Sequence, residues 1–196
     1  MISEHNEIEA KLDAPHVPIA DFKKYVNDNY DVRKYKFIES PDCYYENGMN
    51  VVRHRIDNDH HELTVKRRKN NTSTRDRLEV DLHFSKRTEV VDVEVFLKAT
   101  GFAEAFTIKK KSHIFWVQLT PRLEATFVIY DVKKIGETTW RRFVEIEAEK
   151  GSSVTSETGK RHVNACVADL RAAFKLEVPL NQSLYEIYSG KTYQSV

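Results

Sequence analysis

Cysteine is scarce: Cys43 and Cys166 are far apart and no C-x-x-C occurs. That leaves zinc ribbons and thioredoxin-type redox chemistry without support. No apolar run approaches the ~18 residues of a membrane span. The first residues, Met1-Ile2-Ser3-Glu4-His5-Asn6, lack the apolar stretch of a signal peptide, so the expected compartment is the cytoplasm. Asn71-Thr72-Ser73 fits a glycosylation acceptor, a chance match without a secretion signal. Charge of one sign has no excess, with 31 basic and 30 acidic side chains and a net charge of +1. This argues against a general nucleic-acid or membrane-surface binder. No internal repeat and no low-complexity segment is present.

What is there is charge in quantity. Of 196 residues, 31% are charged, 40% hydrophobic and 11% aromatic. The length fits one domain, 1–196, that buries a core without disulfides. The charges alternate with apolar residues. Glu7, Glu9 and Lys11 share one parity. Arg53 and Arg55 share another. Thr64 and Lys66 stand opposite Leu63 and Val65, and Arg75, Arg77, Glu79 and Asp81 opposite Leu78, Val80 and Leu82. Lys109 and Lys111 stand opposite Phe106 and Ile108. Glu145, Glu147 and Glu149 stand opposite Val144 and Ile146. Side chains in a strand alternate faces, so each set shares a face.

Strands are expected at 5–12, 42–47, 50–57, 62–69, 75–83, 105–117, 123–132 and 141–149. Helices are expected from Val17-Pro18-Ile19, over 88–99 with Gly101 as the stop, and over 156–174. The expected class is α+β, mainly antiparallel β, as an eight-stranded closed β-barrel with packed helices. His60-His61 reads as a solvated turn, Cys43 as a packing residue facing away from the charged wall, and Trp116 and Trp140 as core or rim aromatics, with ring stacking on a ligand as the alternative.

On any one strand this alternation is the ordinary amphipathic pattern. Two features of the set go further. Glu145, Glu147 and Glu149 stand about 6.7 Å apart in steps of two, where two carboxylates repel by roughly 2.5 kcal/mol at an effective dielectric of 20. Water would screen this, so the cost matters only on an enclosed face. The signs are also sorted: the first and last strands carry acids, the central strands bases. Carboxylates suit Mg²⁺ or Mn²⁺, and Arg and Lys supply the donors that phosphate oxygens need. A metal triphosphate would bridge the two sets.

The motifs then resemble a known family. Glu7-Ile8-Glu9-Ala10-Lys11 looks like its E-x-E-x-K signature, Asp42-Cys43-Tyr44-Tyr45 its D-x-Y strand and Arg53-His54-Arg55 its R-x-R strand. Leu63-Thr64-Val65-Lys66 and Arg77-Leu78-Glu79 are similar to its next two strands. Tyr130-Asp131-Val132, Gly136, Glu145-Ile146-Glu147 and Ser183-Leu184-Tyr185 resemble its closing pattern. The family is the CYTH superfamily, the triphosphate tunnel metalloenzymes, and the ordered set spans nearly the whole chain. The resemblance implies a β-barrel forming a triphosphate tunnel and Mg²⁺ or Mn²⁺ as cofactor. It implies Glu7, Glu9, Asp131, Glu145 and Glu147 as metal-facing acids. Lys11, Arg53, Arg55, Lys66, Arg77, Lys109 and Lys111 would hold the substrate phosphates. Glu79, Asp81 and Glu149 would line the tunnel. Glu9, Lys11 and Tyr44 would be catalytic, with Tyr44 pairing with Lys11 in a general-base dyad as in some relatives. The expected activity is hydrolysis of a triphosphate, inorganic tripolyphosphate being the simplest. The alternatives are a class IV adenylate cyclase or a thiamine or nucleoside triphosphatase. The expected partner is a small-molecule triphosphate, without nucleic acid or membrane, on a monomer or homodimer. Asp131 departs from the pattern, because it shares parity with the apolar Phe127 and Ile129.

Overall fold

The computed structural model describes residues 2–48, 50–57, 61–68, 75–85, 87–149 and 155–191. The side chains of residues 3–7, 66–68, 75–79, 149 and 156 lie outside that description. Eight strands, β1 (Ile2–Asp13), β2 (Asp31–Asn47), β3 (Asn50–Ile56), β4 (His61–Arg68), β5 (Arg75–His83), β6 (Ala103–Thr120), β7 (Leu123–Lys134) and β8 (Arg141–Glu149), pair antiparallel. Their order is β1-β5-β4-β3-β2-β6-β7-β8, and β1 pairs with β8 as well as with β5. Four helices accompany them: α1 (Ile19–Asn29), α2 (Val90–Ala99), α3 (Ser156–Phe174) and α4 (Leu184–Ser189). The α+β class and the eight antiparallel strands are those expected.

The alternation decides what each face does. Ile8, Ala10 and Leu12 of β1, Phe127 and Ile129 of β7, and Val144, Ile146 and Ala148 of β8 form the outer core with Phe22 and Val26 of α1 and Val163, Val167 and Leu170 of α3. Burying side chains of this size contributes about 1.5–3 kcal/mol each, before the entropy of ordering them. Tyr45, Val52 and Leu63 pack beneath Val93 and Leu97 of α2. Glu9 and Lys11 of β1 and Glu145 and Glu147 of β8 face the other way, the inner face. At Gly159 of α3 a Cβ would come 2.5 Å from Ile8 Cδ1, so a larger residue there would require Ile8 to move.

α4 covers one end of the inner face. Leu184 and Tyr185 pack with Tyr44, Phe106, Ile108, Val132 and Phe143. A capping box of Ser183 and Glu186 starts the helix. The Tyr185 hydroxyl donates to Glu46 at 2.6 Å, and that of Tyr188 to the Val132 carbonyl. Leu180 N–H donates to the Lys11 carbonyl at 2.7 Å, tying the approach to α4 onto β1.

Two expectations need correction. β2 begins at Asp31, eleven residues before the expected start. Residues 33–37 are exposed on both faces, so the alternation of Lys34 and Lys36 with Tyr35 and Phe37 marks no buried side. His61 is not in a solvated turn: it opens β4, is buried, and stacks on Phe84. His60 lies outside the described residues.

Candidate functional site

The inner face gathers charge at very low exposure. Glu9 is 4% exposed and Lys11 2%. In register, Lys11 stands opposite Glu145 and Glu9 opposite Glu147. The Lys11 Nζ lies 2.8 Å from Glu145 Oε1 and 3.7 Å from Glu9. Tyr130 donates its hydroxyl to Glu145 at 3.0 Å. Lys110 Nζ lies 3.8 Å from the other Glu145 oxygen and 3.8 Å from the Tyr130 ring centroid. Burial pushes the Glu145 carboxyl up, but the Lys11 and Lys110 ammoniums outweigh it and hold the pKa below its usual range. Burial lowers Lys110 to about 8, against the pull of Glu145.

A second network continues on β2, β3, β4 and β5. Asp42, fully buried, accepts two hydrogen bonds from Arg55 at 2.8 Å each. Burial would raise this carboxyl, but Arg55 holds it far below the carboxylate range, and Arg53 and Lys110 add to the effect. Arg53 donates to Glu62 at 3.2 Å and to Thr64 Oγ1 at 2.8 Å, and Thr64 donates to Asp81 at 2.6 Å. Each carboxylate has a cation or a donor beside it, as buried charges require.

The structure thus brings together Glu9, Lys11, Tyr44, Arg53, Arg55, Asp81, Glu145 and Glu147 on one face. Tyr44 stacks on Phe106 at 4.9 Å and lies against Tyr185. Glu7, Lys66, Arg77, Glu79 and Glu149 hold the matching register positions, with Glu7 opposite Arg77 and Glu149, and Lys66 opposite Glu79. Their side chains lie outside the described set.

Three expected residues stand elsewhere. Asp131 is on the outer face, held by Arg142 at 2.7 and 2.8 Å. The strand runs regularly here, so Asp131 keeps the parity of Phe127 and Ile129. Lys111 is outside too, 3.4 Å from Glu39, and Lys109 shares its parity and is exposed. Phe106 and Ile108 do not mark the outer core, because they turn inward under α4. Lys110 follows them in. Reading those two aromatic and aliphatic residues as part of an end seal would have found Lys110. Asp42 and Glu62 were also absent from the expected site; their parity with Tyr44 and Thr64 was the available signal.

No family model matches the chain, and no curated protein matches it. Solved structures do. A conserved hypothetical protein from Pyrococcus furiosus superposes with a TM-score of 0.63 at 20% identity, over 92% of this chain and 98% of that one. A chain in the Schizosaccharomyces pombe Mediator head module gives 0.61 at 8% identity, over 89% and 98%. The S. pombe Pct1 RNA triphosphatase is a weaker neighbour, 0.42 at 13% identity, over 90% and 85%. At these identities the first two likenesses speak for the fold alone. No helix among the described residues is long and apolar enough to cross a membrane.

The inner acids also bear on the expected cation. Glu9 and Glu147 are cross-strand partners, and their hard oxygens suit Mg²⁺ or Mn²⁺. Among the described residues no three acids, cysteines or histidines form a ready cage. That donor set fits an ion that keeps waters and completes its shell with phosphate oxygens, as Mg²⁺ commonly does.

Proposed function

We propose that the inner face is a triphosphate tunnel and that the protein is a metal-dependent triphosphate hydrolase of CYTH type. The carrying observation is the convergence of Lys11, Lys110, Arg53 and Arg55 with Glu9, Glu145 and Glu147 on one enclosed face. The fold by itself does not carry this reading, since one fold hosts many functions; the ordered motifs and the charges do.

Glu9 and Glu147, with Glu7, would hold Mg²⁺ or Mn²⁺. Bound there, the ion would neutralise charge on the phosphate chain. Glu145 is engaged by Lys11 and Lys110, so its role is to fix those ammoniums. Arg53, Arg55 and Lys110, with Lys66 and Arg77 from the neighbouring strands, would grip phosphate oxygens. Lys11 would stabilise charge on the leaving oxygen, and Tyr44 would stand beside it as wall or base partner. Asp81 braces Arg53 through Thr64. Phosphoryl transfer depends mostly on positioning and fixed charge, which such a face supplies. Inorganic tripolyphosphate is the minimal substrate.

The test is product analysis. Tripolyphosphate, ATP and thiamine triphosphate are incubated with the protein and Mg²⁺ or Mn²⁺, and phosphate, pyrophosphate and cyclic AMP are resolved. Phosphate release that disappears in Glu9→Gln is the expected result. Pyrophosphate with cyclic AMP from ATP would replace hydrolysis by cyclisation. Tight binding with no product would make the protein a phosphate-binding module.

A further inference from the structure

β2 runs on past one of its neighbours. It pairs with β6 from Asp31 to Glu46, but with β3 only from Asp42 to Asn47. Asp42 meets Arg55, so the next step of that ladder would set Pro41 against Ile56, where β3 ends. Proline has no N–H to give, and the pairing stops there. Among the described residues β6 is the sole strand partner of residues 31–41. A β-bulge lies between Val32 and Lys34. Between the bulge and the proline, residues 33–37 are exposed on both faces. Five residues make about 17 Å of edge, the length of an ordinary strand.

The side chains along this edge are held in place. Lys23 Nζ lies 2.8 Å from the Tyr35 hydroxyl, and that hydroxyl lies 2.8 Å from His113 Nδ1. An ammonium only donates, so the Tyr35 hydroxyl accepts from Lys23 and donates to His113. Phe37 packs on the same imidazole, ring centroids 4.8 Å apart. Tyr35 and Phe37 are nonetheless 44% and 48% exposed. On the opposite face Lys34 Nζ lies 4.8 Å from the Trp116 ring centroid. Lys36 pairs with Asp57 at 3.3 Å, with its side chain 49% exposed. The edge offers a backbone ready to pair, two ammoniums on one face and two rings on the other.

These features select among occupants. A second copy laid antiparallel on this edge about a two-fold axis, faces matched, sets lysine on lysine in the central registers: Lys34 on Lys34, Lys34 on Lys36, or Lys36 on Lys36. Like charges directly opposite destabilise a sheet, and lysines guard natural edges in this way. A nucleic-acid strand carries a negative charge at every unit and brings no ladder. It would also meet Asp31, Glu39 and Asp57 beside the lysines. An extended polypeptide fits, with acids opposite Lys34 and Lys36 and apolar residues opposite Tyr35 and Phe37.

We propose that residues 33–37 of β2 are a docking edge for an extended acidic segment of a partner protein, which joins the sheet as an added strand. The segment alternates acid and apolar residues. The edge shares no residue with the set assigned to the triphosphate, and the two readings stand or fall separately.

The test uses the full chain and three short synthetic peptides: one alternating Glu and Val, one alternating Lys and Val, and the Glu–Val peptide N-methylated along its backbone. In isothermal titration the Glu–Val peptide is expected to bind at least about 10-fold more tightly than either control. Lys34→Glu combined with Lys36→Glu is expected to reverse the preference, towards the Lys–Val peptide. Both side chains are exposed, so the change leaves the core untouched. Hydrogen exchange with the Glu–Val peptide bound should show new protection at residues 33–37. Equal affinity for the two charged peptides, binding that survives N-methylation, protection elsewhere, or no binding at all would each overturn the docking edge. So would a dimer, seen by sedimentation, that buries residues 33–37, or displacement of the Glu–Val peptide by a single-stranded oligonucleotide.

Discussion

The two faces of β6, β7 and β8 carry charge in opposite ways. On the outer face, Glu39, Lys111, Asp131 and Arg142 are successive register partners, a row of alternating sign. Lys111 and Glu39 are about half exposed there, at 42% and 54% of their side chains. On the inner face Lys11 meets Glu145 at 3% and 14% exposure, with Glu9 and Lys110 crowded beside them. Outer pairs of this kind are screened and contribute about 0–1 kcal/mol. Inner groups carry a desolvation cost that only a complete set of partners offsets. Ion pairs of similar length therefore mean different things. Outside, sign alternation costs nothing to keep. Inside, an incomplete partner set is costly unless an anion or cation completes it.

The sharpest way to break the comparison is to truncate one lysine on each face. Lys11→Ala should lower turnover by about 10²–10³-fold. It should also cost about 3–5 kcal/mol of stability, because Glu145 loses its nearest cation. Lys111→Ala should change stability by less than about 0.5 kcal/mol. Phosphate release and urea midpoints measured side by side check both, and equal costs on the two faces would end the distinction.

Asp42→Asn comes next. It strips a fully buried carboxylate from Arg55 and should cost about 3 kcal/mol at pH 7. The sign with pH follows from the lowered pKa of Asp42. The stabilisation is complete above the unfolded carboxyl value and is lost as pH falls through the folded one. The gap between variant and wild type, read from urea midpoints, should therefore shrink in strong acid.

How much of this was legible in the sequence depends on the segment. Where a strand has one apolar and one charged face, as in Ile8 to Lys11 or Val144 to Glu147, parity alone assigned the faces. Parity could not decide in two segments, and in a third a motif was set above it. β2 over residues 33–37 is exposed on both faces, so its alternation points to no core. Lys109-Lys110-Lys111 carries lysine on both parities, and its flanking Phe106 and Ile108 serve the α4 seal. Asp131 fits a motif while its strand parity says otherwise, and the strand prevailed. Tyr44 and Lys11 were placed on one face by motif, but their fixed contacts, aromatic for one and acidic for the other, come only from the packing of α4 and β8.

The third expectation concerns a buried base on the outer side. His54 is fully buried, and its Nε2 lies 3.0 Å from His61 Nδ1, whose Nε2 lies 2.8 Å from the Thr88 carbonyl. A carbonyl only accepts, so His61 Nε2 carries a proton and its Nδ1 accepts from His54 Nε2–H. That leaves the His54 Nδ1 lone pair in the core with no hydrogen-bond partner. A second proton there would have no acceptor. Burial first, and then His61, lower the His54 pKa to about 4 from an ordinary 6.5. The unfolded chain binds the extra proton between those values. Stability should therefore fall as pH drops from 6.5 to 4, by at most ~3 kcal/mol. Urea midpoints across that window should show the slope in wild type and a flatter one in His54→Leu.

The smallest effect tests which lysine belongs to the inner face. Lys110 and Lys109 are neighbours in sequence and of equal formal charge. Lys110 is 8% exposed, over the Tyr130 ring and beside Glu145, while Lys109 stands in water on the other parity. An ammonium in an enclosed site is screened little, and one in water is screened within about 10 Å at ordinary salt. Lys110→Gln should therefore weaken tripolyphosphate binding about 10-fold, a little over 1 kcal/mol, with Lys109→Gln within about 2-fold. Raising the salt should erase whatever Lys109 contributes and leave most of the Lys110 effect. Isothermal titration at two ionic strengths reads both. If Lys109 proved the stronger, β6 would have to present its other parity inward. Phe106 and Ile108 would then leave the seal beneath α4, and the inner face would need to be redrawn from that strand outward.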